Sequence, residues 1–108
     1  MSEPELRVYR IETGHLEDFV AAWTAGVEPL RRRFGFTSRA WTVPGQSLFI
    51  WLIGYRGKGT FEAADAAYYA SPERASLDPD PRQWIAVNEL GSAIPVSGGR
   101  SSAGDSAP

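Results

Sequence analysis

The spacing of hydrophobic positions changes period along the chain, and each change marks an element. Residues 5–13, ELRVYRIET, alternate through Val8, Tyr9 and Ile11, a period of two that predicts a strand broken by Gly14. From His15 the apolar residues recur at threes and fours: Leu16, Phe19, Val20, Trp23, Val27, Leu30 and Phe34. They form one stripe of an amphipathic helix of about five turns. Thr13 is the expected N-cap, with Glu17 and Asp18 at the positive end of the helix. Pro29 brings no backbone donor and predicts a kink or a tightened last turn. Gly35 suits a left-handed cap.

The period of two then returns. Phe36–Val43 reads as a second strand, Pro44-Gly45-Gln46-Ser47 as a turn, and LFIWLIGY (Leu48–Tyr55) as a third strand, apolar on both sides. Thr60 can cap a second helix that begins Phe61-Glu62, packs through Phe61, Ala64 and Tyr68, and ends at Pro72. SPERASLDPDP is a turn-rich connection. Residues 84–90, extending toward Val96, form the fourth expected strand. Residues 97–108, SGGRSSAGDSAP, are nearly free of apolar side chains and are expected to be a disordered tail behind a single domain at 1–96.

The order β-α-β-β-α-β is the split βαβ arrangement, an α+β, ferredoxin-like protomer. Right-handed crossovers put two helices on one face of a four-stranded antiparallel sheet and leave the other face bare. The third strand is apolar on both faces, so a bare face cannot stay wet. Covering ~600 Å² of it is worth on the order of 15 kcal/mol gross at about 25 cal/mol per Å². A homodimer, sheet on sheet, is the simplest cover.

Composition narrows the function. The net charge is −2 and the pI near 5.3, which argues against an electrostatic nucleic-acid binder. The densest basic run, Arg31-Arg32-Arg33, reads as favourable charge at a helix C-terminus. With no cysteine there is no disulfide or thiolate chemistry. No apolar run is long enough for a membrane span, and MSEPELRVYR shows no signal pattern, so a cytoplasmic protein is expected. The single histidine, His15, argues against a metal site, and Asp78 and Asp80 read as turn residues. Neither a metal nor a cofactor is expected.

The opening ELRVY, the segment ETGHLEDFVAAW, the hairpin GFTSRAWTVPGQSLFIWLIGY and the stretch ADAAYYASPERASLDPDP together resemble the NIPSNAP family of the dimeric α+β barrel superfamily. The resemblance spans about residues 5–96 and implies the same protomer and a barrel dimer. Relatives in the superfamily include cofactor-free monooxygenases, haem-degrading oxygenases, isomerases, cyclases and proteins with no assigned activity, so fold alone does not settle function.

Candidate chemistry rests on polar residues in strands that look buried. Arg7 and Tyr9 share a face of the first strand, Arg39 and Trp41 a face of the second, and Asn88 a face of the fourth with Trp84; Glu89 lies opposite. One expectation is structural pairing of Arg7 or Arg39 with Glu89, since an unpaired buried charge costs several kcal/mol. The other is a cavity in which Arg7, Tyr9, Arg39 and Glu89 do chemistry on a small apolar or aromatic molecule. Trp41, Trp51, Tyr55, Tyr69 and Asn88 would then bind it. The function expected is a homodimeric small-molecule protein, with a non-catalytic ligand- or protein-binding module as its rival.

Overall fold

In the computed structural model, which describes residues 3–90 and residue 96, the described residues form four strands and four α-helical segments, with the strands in the expected order. The tail expected at 97–108 and the strand extension at 91–95 lie outside the described residues.

Strand β1 (Glu5–Ile11) buries Glu5, Arg7, Tyr9 and Ile11 along one face, the alternation that pleating imposes. The first helix is not uniform. It runs as α1 (Leu16–Ala22), a π-turn (Trp23–Val27) and α2 (Glu28–Arg33). Pro29 loosens the helix where tightening was expected. Its ring crowds the carbonyl four residues back, and the widened turn relieves this by bonding Glu28 N–H to Trp23 O, five residues earlier. Thr13 does not cap the helix: His15 stands at the N-cap without a side-chain bond. The His15 ring instead stacks on Trp84 at 5.9 Å and meets Asp18 at 3.0 Å. Gly35 ends α2 at φ +93°, as the left-handed cap requires.

Strands β2 (Phe36–Val43) and β3 (Leu48–Tyr55) form the expected hairpin around a 3-10 turn, Pro44–Gln46. Helix α3 (Phe61–Ala70) starts where Thr60 accepts a bond from Ala63 N at 3.1 Å. Pro72 ends α3 as expected, since the residue before a proline is held extended, as Ser71 is, and it opens a further short helix, α4 (Pro72–Ala75). Ser71 Oγ donates to Tyr68 O at 2.7 Å and accepts from Arg74 N at 3.1 Å, so one hydroxyl closes α3 and opens α4. Strand β4 (Ile85–Asn88) is shorter than expected. Trp84 belongs to a preceding 3-10 turn, Pro81–Trp84, and Glu89 and Leu90 form a bend in which Glu89 N–H still donates to Val8 O at 2.8 Å.

The sheet order is β2-β3-β1-β4, with every neighbouring pair antiparallel. This is a ferredoxin-like α+β fold. Register fixes which residues share a face. Tyr9 lies opposite Phe49, Arg7 opposite Trp51, and Ala40 also opposite Trp51. Phe49, Trp51 and Ile53 therefore face the helices, where Phe19, Trp23, Val27 and Leu30 of the first helix and Phe61 and Tyr68 of α3 complete one core. The alternate set, Leu6, Val8, Trp41, Val43, Leu48, Ile50, Leu52 and Val87, points the other way. It is only partly covered: Leu6, Trp41 and Val87 are 45%, 44% and 47% exposed.

Candidate functional site: a charged and aromatic cluster between helices and sheet

The sheet sorts the candidate residues onto its two faces. Arg7, Tyr9, Trp51 and Asn88 lie on the helix side, and Tyr69 reaches the same space from α3. Arg39 and Trp41 lie on the open side, where the Arg39 guanidinium sits 5.2 Å over the Trp41 ring. Glu89 does not pair with Arg7 or Arg39; it meets Arg10 at 3.2 Å. Tyr55 is on the helix side but engaged elsewhere. Its hydroxyl donates to Lys58 O at 2.9 Å, and its ring packs on Phe36 at 5.1 Å. The single cavity expected from Tyr9, Trp41, Trp51 and Tyr55 together does not form, because a pleated sheet separates Trp41 from the other three.

What does assemble is a cluster that includes residues the sequence reading passed over. Arg31, the first of the three arginines that end α2, is fully buried, as are Arg7, Tyr9, Trp51 and Tyr68. Arg31 Nη1 donates to Asp65 Oδ1 at 2.7 Å and its Nη2 to the Tyr69 hydroxyl at 3.1 Å. Arg7 Nε donates to Glu5 Oε2 at 2.6 Å, while its Nη2 reaches both Asp65 oxygens only at 3.5 Å. Both guanidiniums lie against aromatic faces. Arg31 is 3.7 Å from the Tyr68 ring centre and 5.3 Å from that of Trp51, and Arg7 is 5.4 Å from Trp51. Planar, weakly hydrated guanidinium suits this setting better than ammonium would.

Hydrogen bonding in the cluster is lopsided. Among the described residues no acceptor meets Arg7 Nη1, Arg31 Nε, Trp51 Nε1, Trp23 Nε1 or the Tyr68 hydroxyl, all of them buried donors. Burial raises the Tyr9, Tyr68 and Tyr69 hydroxyls above the ordinary phenol range, and the neighbouring arginines pull each part of the way back. These phenols stay protonated at neutral pH and so carry a proton that can be donated.

The 71–84 connection closes one end. Arg74, almost wholly buried, meets Asp80 at 3.1 Å, and Arg82 grips the same carboxylate at 2.8 Å. Burial pushes the Asp80 carboxyl up, but the bonds from Arg82 and Arg74 outweigh it and hold it at about 2, below its ordinary 3.8. A carboxyl depressed in the folded state adds stability that is complete above about pH 4 and lost as pH falls toward 2. Asp80→Asn is therefore expected to lower the melting temperature at pH 7, a loss on the order of 1 kcal/mol once solvent screening is allowed for. The two proteins should melt together near pH 2, as calorimetry at both pH values would show. A gap that persists at pH 2 would mean the side chain acts through packing.

A second space lies at the β2 edge. Val20, Trp23, Trp41, Thr42 and Phe49 line a groove of about 230 Å³ there. Among the described residues no three His, Cys, Asp or Glu side chains come together to hold a metal, and no helix is long and apolar enough to cross a membrane.

Neither a protein-family profile nor a curated protein sequence matches this chain. Among solved structures it superposes on an uncharacterized NIPSNAP domain protein from Burkholderia xenovorans with a TM-score of 0.66. The alignment covers 78% of this chain and 84% of that one, at 17% identity. The chain has a NIPSNAP-like fold. At that identity the likeness speaks for the fold alone. It agrees with the resemblance read from ELRVY, the central hairpin and the stretch after α3. The NIPSNAP-like fold accounts for the helix-covered sheet face, whereas the cluster of Arg7, Arg31, Asp65 and Tyr69 is a matter of this chain's own side chains.

Proposed function

We propose that this NIPSNAP-like chain is the protomer of a homodimer that binds a small, flat, apolar or aromatic molecule beside Trp51. One observation carries the reading: a single sheet buries an aromatic and charged cluster on one face and leaves a bare apolar face on the other. The bare face supports pairing with a second copy. The buried face supports ligand chemistry, because guanidiniums and phenols held among aromatic rings can stabilise an enolate or phenolate as charge develops. Reactions driven by the substrate's own acidity fit such a site: isomerisation, cyclisation or cofactor-free oxygenation.

Sedimentation equilibrium at micromolar concentration tests the assembly. The expected mass is twice the 11.8 kDa of the chain. A folded, soluble single protomer would overturn it.

A second reading has an observation of its own. Arg7 and Arg31 already find carboxylates within the protomer, Glu5 and Asp65. That favours a non-catalytic dimerising module in which the charges hold elements together. Under it, Arg7→Met lowers the melting temperature and leaves ligand affinity unchanged. Under the first reading, affinity falls as well.

A further inference from the structure

The unequal use of the two buried arginines points to a ligand class. Glu5 occupies Arg7 Nε at 2.6 Å. The rest of the same guanidinium is only partly used: Nη2 reaches Asp65 at 3.5 Å, the limit of a hydrogen bond, the Tyr9 hydroxyl also bonds to the guanidinium, and Nη1 meets no acceptor among the described residues. An Arg Nη1/Nη2 edge is a two-pronged donor matched in width to a carboxylate. Asp65 does not fill it, because its short bond, 2.7 Å, goes to Arg31.

The ion pairs form two separate groups: Arg7 and Arg31 share Glu5 and Asp65, two charges of each sign, while Arg74 and Arg82 share Asp80. The other buried donors without an acceptor, Arg31 Nε, Trp51 Nε1 and the Tyr68 hydroxyl, surround the same region. The rings of Trp51 and Tyr68 beside them offer flat apolar surface.

We propose that the cluster is a seat for a flat organic monoanion, a carboxylate or enolate, whose oxygens take the Nη1/Nη2 edge of Arg7 and whose ring lies against Trp51. The inference rests on the reading that the ligand binds beside Trp51, and it adds the charge of that ligand and the group that reads it. The way in passes Tyr69. It is the half-buried member of the cluster, its oxygen accepts from Arg31, and its own proton remains free to donate. Entry requires α3 to lift from the sheet. The fully buried residues of α3 are Phe61, Asp65 and Tyr68 among many alanines, and lifting it parts Asp65 from Arg31, a cost the bound anion has to offset.

The test uses the full chain with two probes of one shape, benzoate and neutral benzamide, read by calorimetric titration and by melting temperature. Benzoate is expected to bind and to raise the melting temperature with the logarithm of its concentration. Benzamide should bind at least tenfold more weakly. Arg7→Lys keeps the charge but loses the fork, and should weaken benzoate about tenfold while leaving benzamide unchanged. Tyr69→Phe, at a partly exposed position where only a hydroxyl is lost, should weaken benzoate several-fold. Equal binding of the two probes would overturn the anion seat and leave the small-molecule reading standing. Binding of neither would overturn both. Benzoate binding untouched by Arg7→Lys and Tyr69→Phe would place the anion elsewhere and overturn the assignment to Arg7.

Discussion

Asp65→Ala is expected to remove about 3–5 kcal/mol of folding stability, the usual cost of stripping one partner from a buried ion pair. The reason lies in what would be left behind. Asp65 is the carboxylate on Arg31 at 2.7 Å and the longer-range counter-charge of Arg7, and both guanidiniums are sealed from water. Without it Arg31 keeps, among the described residues, the Tyr69 hydroxyl as its hydrogen-bond acceptor, plus the aromatic faces of Phe36, Tyr68 and Trp51. Those faces attract a cation but do not replace its hydration. In a domain of this size a loss of 1 kcal/mol lowers the melting temperature by about 4–8 °C. Since total stabilities run about 5–15 kcal/mol, the variant would be on the edge of unfolding at 25 °C. Urea denaturation measures it. A double variant, Asp65→Ala with Arg31→Met, separates the causes. If the loss is the cost of a stranded charge, removing Arg31 as well should restore part of it, and the double loss should fall short of the sum. A single loss under about 1 kcal/mol would show that the cluster contributes little to folding.

That cluster was partly legible in the sequence, and the parts that were missed are instructive. Arg31 stands four residues after Val27 and three before Phe34, squarely on the apolar stripe of the first helix. Asp65 stands four after Phe61 and three before Tyr68, on the packing face of α3. Each is a charged residue at a core position on a helix, and two such positions of opposite sign suggest a pair across a core. Run together as Arg31-Arg32-Arg33, however, the arginines look like one solvated group at a helix end, and composition hides the one that turns inward. The order of the elements and the central hairpin could be read because LFIWLIGY and the Pro-Gly turn leave few choices, but not the register of the paired strands, which the sequence left open. Which face each strand gave to the helices was harder. A strand apolar on both sides carries no alternation to orient it, so Trp41 and Trp51 looked equivalent although they lie on opposite faces. The π-turn was hidden for another reason. Proline forbids a hydrogen bond, but whether the helix kinks, tightens or widens depends on what packs against it. Here Gly26 lies against Leu77, where an added methyl would come within 3.2 Å.

Leu6→Lys is expected to split the proposed dimer while leaving the protomer folded. Leu6 lies on β1 beside Leu52, on the open face, and is nearly half exposed in the lone protomer. A lysine there can extend into water, so the protomer should lose no more than about 0.5 kcal/mol. In a sheet-on-sheet dimer the same position is covered, and two-fold symmetry buries it twice, once from each copy. Each ammonium would face apolar side chains without a carboxylate, at a cost of several kcal/mol. The gross gain from covering ~600 Å² is on the order of 15 kcal/mol, and association costs about 4–15 kcal/mol, so the margin holding two copies together is narrow. Two buried charges exceed it, and the dissociation constant should rise by at least ~10³. The melting temperature gives a second readout. For a dimer it rises with protein concentration by mass action, and for Leu6→Lys it should become independent of concentration. Sedimentation of the two proteins side by side decides the matter: equal masses for both, whether single or double, would mean that the open face is not where two copies meet.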